Sequence, residues 1–205
     1  NLDHLLPLFD MLESDAYQQV MRENAERLLG ITDGLLPTHT LNDRGQHCQL
    51  GFAPHSAFDQ FVAAWLGKLY WLYYKHTLDQ EFLENRALPF LKGAARVYEA
   101  MLEEKDGVLS LPLSVSPEYG VSDPRDRQSG RDASAQLAAF HMLLDFLMEA
   151  CEILQRTPDP KWSDIKERLP LFSMVDDKEN RRIAIWQGMD LAMSHRHHSH
   201  LAGVY

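Results

Sequence analysis

The chain has 205 residues, 45% of them hydrophobic, and a formal net charge of −10, so it is long enough and apolar enough to bury a core. The acidity opposes binding to a phosphate backbone, and no basic stripe with interleaved aromatics offsets it, which argues against nucleic acid as a partner. Phe58 to Tyr74 is rich in large side chains but interrupted by Lys68, so no membrane span is read. Cys48 and Cys151 have neither zinc-knuckle spacing nor the pattern of a disulfide framework.

Taken in order, Leu2, Leu5, Leu6, Leu8, Phe9 and Leu12 form one apolar face and predict a first helix. Ser14 or Asp15 caps a second, which carries Val20, Met21, Leu28 and Leu29 and stops at Gly30. From Ile31 to His55 glycines, prolines, Asn42 and Asp43 break every period. This predicts a long loop of the kind that carries function, with His39, His47 and His55 able to touch a ligand. Ser56 or Asp59 opens the most apolar helix, in which Phe61, Ala64, Trp65, Lys68, Leu69, Leu72 and Tyr73 recur at helical steps. Apolar on nearly every side, it is expected to be buried, with Trp65, Trp71, Tyr73 and Tyr74 in the core. Asp79 caps a further helix bearing Phe82, Leu83, Leu91, Ala94, Ala95, Tyr98 and Met101, with Pro89 as a kink or break, and Lys105-Asp106-Gly107 turns the chain. Val108 to Arg131 lacks a helical period and contains Ser116-Pro117-Glu118-Tyr119-Gly120. Asp132 is expected to cap the next helix, with Leu137, Phe140, Leu144, Leu147 and Ala150, which runs to about Thr157. Trp162, Ile165 and Leu169 make a short helix, and Phe172 to Trp186 reads as a small β-hairpin.

Paired helices joined alternately by tight turns and long polar loops suit an all-α toroid whose long loops gather at one end around a pocket. There the loop of Glu118 would meet Ser194-His195-Arg196-His197-His198-Ser199-His200-Leu201, where four imidazoles and one guanidinium fall within six residues. Such a cluster ligates a metal, hydrogen-bonds a polyhydroxylated or anionic ligand, or stays solvated. The tail Leu201-Ala202-Gly203-Val204-Tyr205 reads as the first buried turn of a following helix rather than a tag. A metal site would draw on His195, His197, His198 and His200. Structural zinc sites recruit ligands from separated segments, however, and no cysteine joins these, so no metal or other cofactor is assigned.

The segment His195-Arg196-His197-His198-Ser199-His200-Leu201 resembles the His-Arg-His-x-Ser-His-Leu signature of glycoside hydrolase family 95, whose members include 1,2-α-L-fucosidases and related α-L-galactosidases. Ser116-Pro117-Glu118 is similar to that family's Ser-Pro-Glu. The run from Asp79 through Glu81-Phe82-Leu83 to Pro89, Leu91-Lys92 and Ala94-Ala95 is similar to its second inner hairpin, and Leu2 to Asp10 resembles the helix after its Asn-containing loop. The likeness covers nearly the whole chain, and the histidine signature is its specific part.

The resemblance implies an (α/α)6 barrel, with residues 1–205 as a segment of a single catalytic domain, a partial barrel of antiparallel helix pairs. It implies inverting hydrolysis of α-L-fucosides or related α-L-glycosides, for which an acid and a water-activating group stand ~6.5–9.5 Å apart across the sugar. On this reading Glu118 is the general acid, and Arg196 and His197 contact the sugar with His195 and His200 beside them. Trp186 and Tyr119, in loops next to the motifs, are the aromatic residues expected on the sugar. Asp190 stands in for a lost carboxylate, caps its loop, or partners Arg196 or a histidine. Ile185-Trp186-Gln187-Gly188-Met189-Asp190 departs from the family's Glu-Trp-x-x-Asp pattern and leaves the exact sugar open. The family's asparagine pair and its Asp-Gly-Asn-Phe-Gly motif are not in this sequence, so the base is expected on the remaining part of the parent chain. The implied partner is an oligosaccharide or glycan and the implied location secreted or periplasmic. Two other classes fit the residues: a non-catalytic carbohydrate-binding relative, and a metal-binding protein built on the histidine cluster.

Overall fold

The helical steps of the sequence become helices in the computed structural model, which describes residues 2–37, 60–117, 119, 129–177, 180–190 and 197–203. A 3-10 turn, Asp3–Leu5, leads into α1 (Leu6–Glu13) and then α2 (Asp15–Leu29). Ser14 separates them in an extended conformation, and its hydroxyl donates to the Met11 carbonyl at 2.7 Å instead of capping α2. Gly30 ends α2 at φ 70°, the left-handed conformation that only glycine adopts without steric cost. The remaining long helices are α3 (Phe61–Thr77), α4 (Leu88–Met101), α5 (Ser134–Ile153) and α6 (Pro160–Arg168). Ser56 and Asp59, expected to open α3, and the loop histidines His39, His47 and His55 lie outside the described residues; Gln60 takes the N-cap position without a side-chain capping bond.

Asp79 caps as expected, accepting from the Phe82 N–H at 3.1 Å. The chain then makes one helical turn, Gln80–Phe82, and a π-helical turn, Leu83–Ala87, before α4 begins. Pro89 does not break this run. It sits in the first turn of α4, where a missing N–H leaves nothing unmade, directly after the wider π turn.

Asp132 does not cap α5. Ala133 holds that position, while Asp132 has φ 56° and turns its carboxylate back to accept from the Leu111 N–H at 2.6 Å and the Ser110 hydroxyl at 3.2 Å. The same helix stops at Ile153, short of Thr157. Lys105-Asp106-Gly107 proves to be the tip of a hairpin, β1 (Glu103–Lys105) against β2 (Val108–Ser110), with Asp106 and Gly107 both at positive φ as a two-residue turn demands. The expected second hairpin is present as β3 (Met174–Asp177) and β4 (Asn180–Ile183).

Contacts between rings give the helix directions. Tyr73 meets Phe82 with centroids 4.4 Å apart, Tyr70 stacks on Phe90 at 4.6 Å, and Gly67 faces Leu91, so α4 runs antiparallel to α3. Gly67 also faces Leu143, Trp71 stacks on Phe146 at 5.0 Å and Lys75 pairs with Glu149 at 2.8 Å, so α5 runs parallel to α3. A Cβ at position 67 would lie 3.0 Å from Leu143 and 3.1 Å from Leu91, so a larger residue there would press on both leucines at this three-helix contact. α6 returns along α5, with His141 Nε2 3.1 Å from the Leu169 carbonyl and Lys166 paired with Asp145. The corner between α1 and α2 is locked onto this layer by Glu13, which accepts from the Tyr70 hydroxyl at 2.9 Å and from Arg86 at 2.7 Å. The fold is therefore all-α and of the (α/α)6 type: α3 and α5 point their N-termini to one end, and antiparallel partners return behind them.

One face of α3 is not core. Trp65 is 53% exposed and Leu72 38%, against the expectation that this helix is buried all round; Trp71, Tyr73 and Tyr74 are buried as expected. Phe61, Trp65, Lys68 and Leu72 follow one another at i, i+4, i+7 and i+11, a single stripe on which Trp65 and Leu72 stand exposed and Phe61 and Lys68 are half-buried.

Candidate active site

The N-terminal end of α5 is where the two loop motifs meet. Serine hydroxyls, each able to donate and accept, stitch three strand-like segments there. Ser114 pairs with Gly130 through both backbone groups at 2.9 Å, and its hydroxyl donates to the Gly130 carbonyl and accepts from the Ala133 N–H at 2.7 Å. Ser134 donates to the Ala184 carbonyl at 2.7 Å, and Ser173 to the Asp132 carbonyl at 2.6 Å. The buried Gln136 amide donates to the Val115 carbonyl at 3.0 Å and accepts from the Tyr98 hydroxyl at 2.9 Å. Every one of these groups is buried, so each bond avoids the cost of an unmet polar atom, and residues 111–117 are held rigidly against α5.

From that platform the Ser-Pro-Glu segment touches the histidine segment directly. Ser116 Oγ and Ser199 Oγ lie 2.5 Å apart, 83 residues from each other in sequence. Tyr119 N–H closes a turn on the Ser116 carbonyl at 2.8 Å, and the Tyr119 hydroxyl donates to the His197 carbonyl at 3.5 Å. Burial holds that phenol above its ordinary range, so it remains a donor near neutral pH. Glu118, His195 and Arg196 lie outside the described residues.

His200 is the middle residue of a short 3-10 turn, Ser199–Leu201, that replaces the expected buried helical turn; Leu201 and Ala202 are half-buried, and Val204 and Tyr205 lie outside the described residues. His200 is 8% exposed, and among the described residues its Nδ1 has no hydrogen-bond partner. Burial first, and the neighbouring His198 second, hold its imidazole below the ordinary histidine value, while Asp190 pulls the other way. It is thus a neutral ring near pH 7. Asp190 pairs with Arg182, an arginine of β4, at 2.5 Å, and its charge also acts on His200. Among the described residues no three His, Cys, Asp or Glu side chains gather as metal ligands.

Trp186 departs from its expected role as a stacking surface. Its ring is 1% exposed, packed with Ala133 and Ile185 and edge-on to Tyr119 at 6.5 Å. It lies so close over Gly130 that a Cβ there would come within 2.2 Å of the ring. The loop around it is fixed by Gln187 N–H to the Arg131 carbonyl at 2.8 Å and Ser134 N–H to the Ile185 carbonyl at 3.0 Å. Trp186 is therefore the backing of the wall, with Tyr119 in front of it. Among the described residues the aromatic side chain that does stand open is Trp65, which sequence periodicity placed in the core; the signal was Lys68, a charge on the same stripe of an otherwise apolar helix.

His141 is also buried and its imidazole is held below the ordinary value, chiefly by burial and against the pull of the Leu169 and Pro170 carbonyls. Below pH ~6.5 the unfolded chain takes up protons on His141 and His200 that the folded chain resists, so stability falls as pH drops from there through the folded values. The urea midpoint should drop between pH 7.5 and pH 5.5, and the double variant His141→Asn, His200→Asn should show a smaller drop. Equal drops in both proteins would assign the effect to other groups.

Residues 1–205 match the model of a family described as the glycosyl hydrolase family 95 catalytic domain. Over 148 residues, 69% of this chain, the sequence is 29% identical to alpha-L-fucosidase 2 of Arabidopsis thaliana. The chain spans about 17% of the length of that curated relative.

Proposed function

This chain belongs to glycosyl hydrolase family 95, and we propose that residues 1–205 form a segment of a single (α/α)6 catalytic domain whose parent protein cleaves α-L-fucosides or related α-L-glycosides with inversion. The observation that carries this reading is the Ser116–Ser199 contact, which joins the Ser-Pro-Glu turn to the histidine signature. Tyr119, which follows Glu118 in sequence, reaches with its hydroxyl the backbone of His197, the residue after Arg196.

Glu118 is the general acid: it gives its proton to the glycosidic oxygen as the bond to the anomeric carbon breaks. Arg196 and His197 hold the sugar hydroxyls, with His195 and His200 beside them. The His200 ring supports this role because burial disfavours its charged form, so it adds no positive charge beside the acid. Tyr119 closes the wall, Trp186 backs it, and the Asp190–Arg182 pair steadies the loop that presents Trp186. The group that activates water is assigned to the remaining part of the parent chain. A glycan substrate fits a secreted or periplasmic protein.

The test is the anomer released. In the full-length protein, proton NMR should show the β-L-sugar appearing first from an α-L-fucoside, followed by mutarotation. The α-anomer appearing first would overturn inversion, and binding without any release would make the protein a carbohydrate-binding relative.

A further inference from the structure

Between α3 and α5 lies an open groove of about 440 Å³, within the size range of small-molecule sites. Phe61, Trp65, Met142 and Phe146 form its apolar walls, and Ala202 and Gly203 form one end. Those two residues directly follow His200 and Leu201 in sequence, so this end of the groove is tied by the backbone to the histidine segment. Gly203 is seated against Phe172 and Ala138, where a Cβ would lie 2.4 Å from the Phe172 ring, which fixes that end.

Trp65 is the feature that an ordinary core groove lacks. Phe61 stacks beside it with centroids 5.9 Å apart, and the Lys68 ammonium stands 5.7 Å from its ring centroid, so the indole is held in place while more than half of the residue stays open. Among the described residues its N–H has no acceptor. An aromatic plane with an indole donor and an ammonium at its margin is a complementary surface for a sugar ring, whose C–H face is apolar and whose hydroxyls lie at its edge.

We propose that this groove is a second glycan subsite, in which Trp65 carries the ring of the sugar next to the one that is cleaved and Lys68 and the indole N–H bind its hydroxyls. The proposal rests on the glycoside-hydrolase reading given above. The cleaved sugar lies with Glu118 and the histidine segment, and the remainder of the oligosaccharide extends along α3.

Two ligands separate this subsite from the acid's site: an α-L-fucosylated trisaccharide and the disaccharide left when its fucose is removed. Followed by calorimetry, the disaccharide titrated into the full-length protein, and the trisaccharide titrated into its Glu118→Gln variant so that it is not cleaved, should both bind saturably. Trp65→Ala should weaken both by ~10-fold or more, the worth of one good contact, and Trp65→Phe, which keeps a ring, should weaken them less. Thermal midpoints should stay near the wild-type value in both variants, because the residue is mostly open. Glu118→Gln should leave disaccharide binding unchanged, so a failure of the acid assignment and a failure of this subsite read differently. No binding of the disaccharide, or equal affinity in wild type and Trp65→Ala, overturns the subsite. Displacement of a bound apolar dye by a hydrophobic peptide but not by either sugar overturns it in favour of a protein-docking face.

Discussion

Replacing Glu118 by glutamine is expected to cut turnover on unactivated glycosides by ~100-fold or more, the usual worth of a positioned general acid, while sparing substrates whose leaving group is already acidic. The variant keeps the shape and hydrogen-bonding reach of the side chain and removes only its proton. A carboxyl that delivers a proton near neutral pH needs a raised affinity for it, which burial under a sugar ring beside Tyr119 would supply. Cations close by would oppose this. The neutral state of His200 removes one such opponent, since burial and His198 both disfavour its charged form. Parallel rate measurements on an alkyl glycoside and a nitrophenyl glycoside decide the matter. Equal losses on both, or no loss on either, would take the acid's role away from Glu118.

The helices were legible because their signals are local. Asp79 caps and Gly30 stops a helix in a left-handed turn, whereas Pro89, expected to kink or break its helix, falls where a helix tolerates it. Asp132 was misread because an aspartate before an apolar run looks like a cap. Its carboxylate has competing donors in Leu111 and Ser110, which only the tertiary fold brings near. The hairpin at β1 and β2 left one sign, Asp106-Gly107, since three-residue strands are too short to show alternation. In the site, the motifs were visible but their junction was not: nothing in the sequence says that the Ser116 and Ser199 hydroxyls touch across 83 residues. Trp65 and Trp186 were exchanged for a related reason. A helix position suggested burial and a loop position suggested exposure, whereas burial is decided by what packs on top: Gly130 leaves room for the Trp186 indole, and no described element covers Trp65.

That exchange has a measurable consequence at Trp186. A stacking platform would lose affinity on substitution and keep its stability, whereas a buried support loses stability first. Trp186→Ala should cost about 3–5 kcal/mol, the range for emptying a large buried aromatic site. For a domain of this size that is a drop of roughly 6 to 20 °C in Tm, at about 2–4 °C per kcal/mol. The cavity would open under Ala133 and Ile185, at the point where Ser134 N–H bonds the Ile185 carbonyl and α5 begins. Gly130→Ala approaches the same contact from the other side. Its methyl would sit 2.2 Å from the indole, so the ring must move, at about 1–3 kcal/mol for overpacking. Because both changes act on one contact, their combined cost should fall below the sum of the two single costs: a smaller residue at 186 relieves the clash that the methyl creates. Thermal unfolding of the two single variants and the double variant measures this coupling. Full additivity, or a Trp186→Ala protein that melts like wild type while binding sugar weakly, would return Trp186 to the face of the pocket.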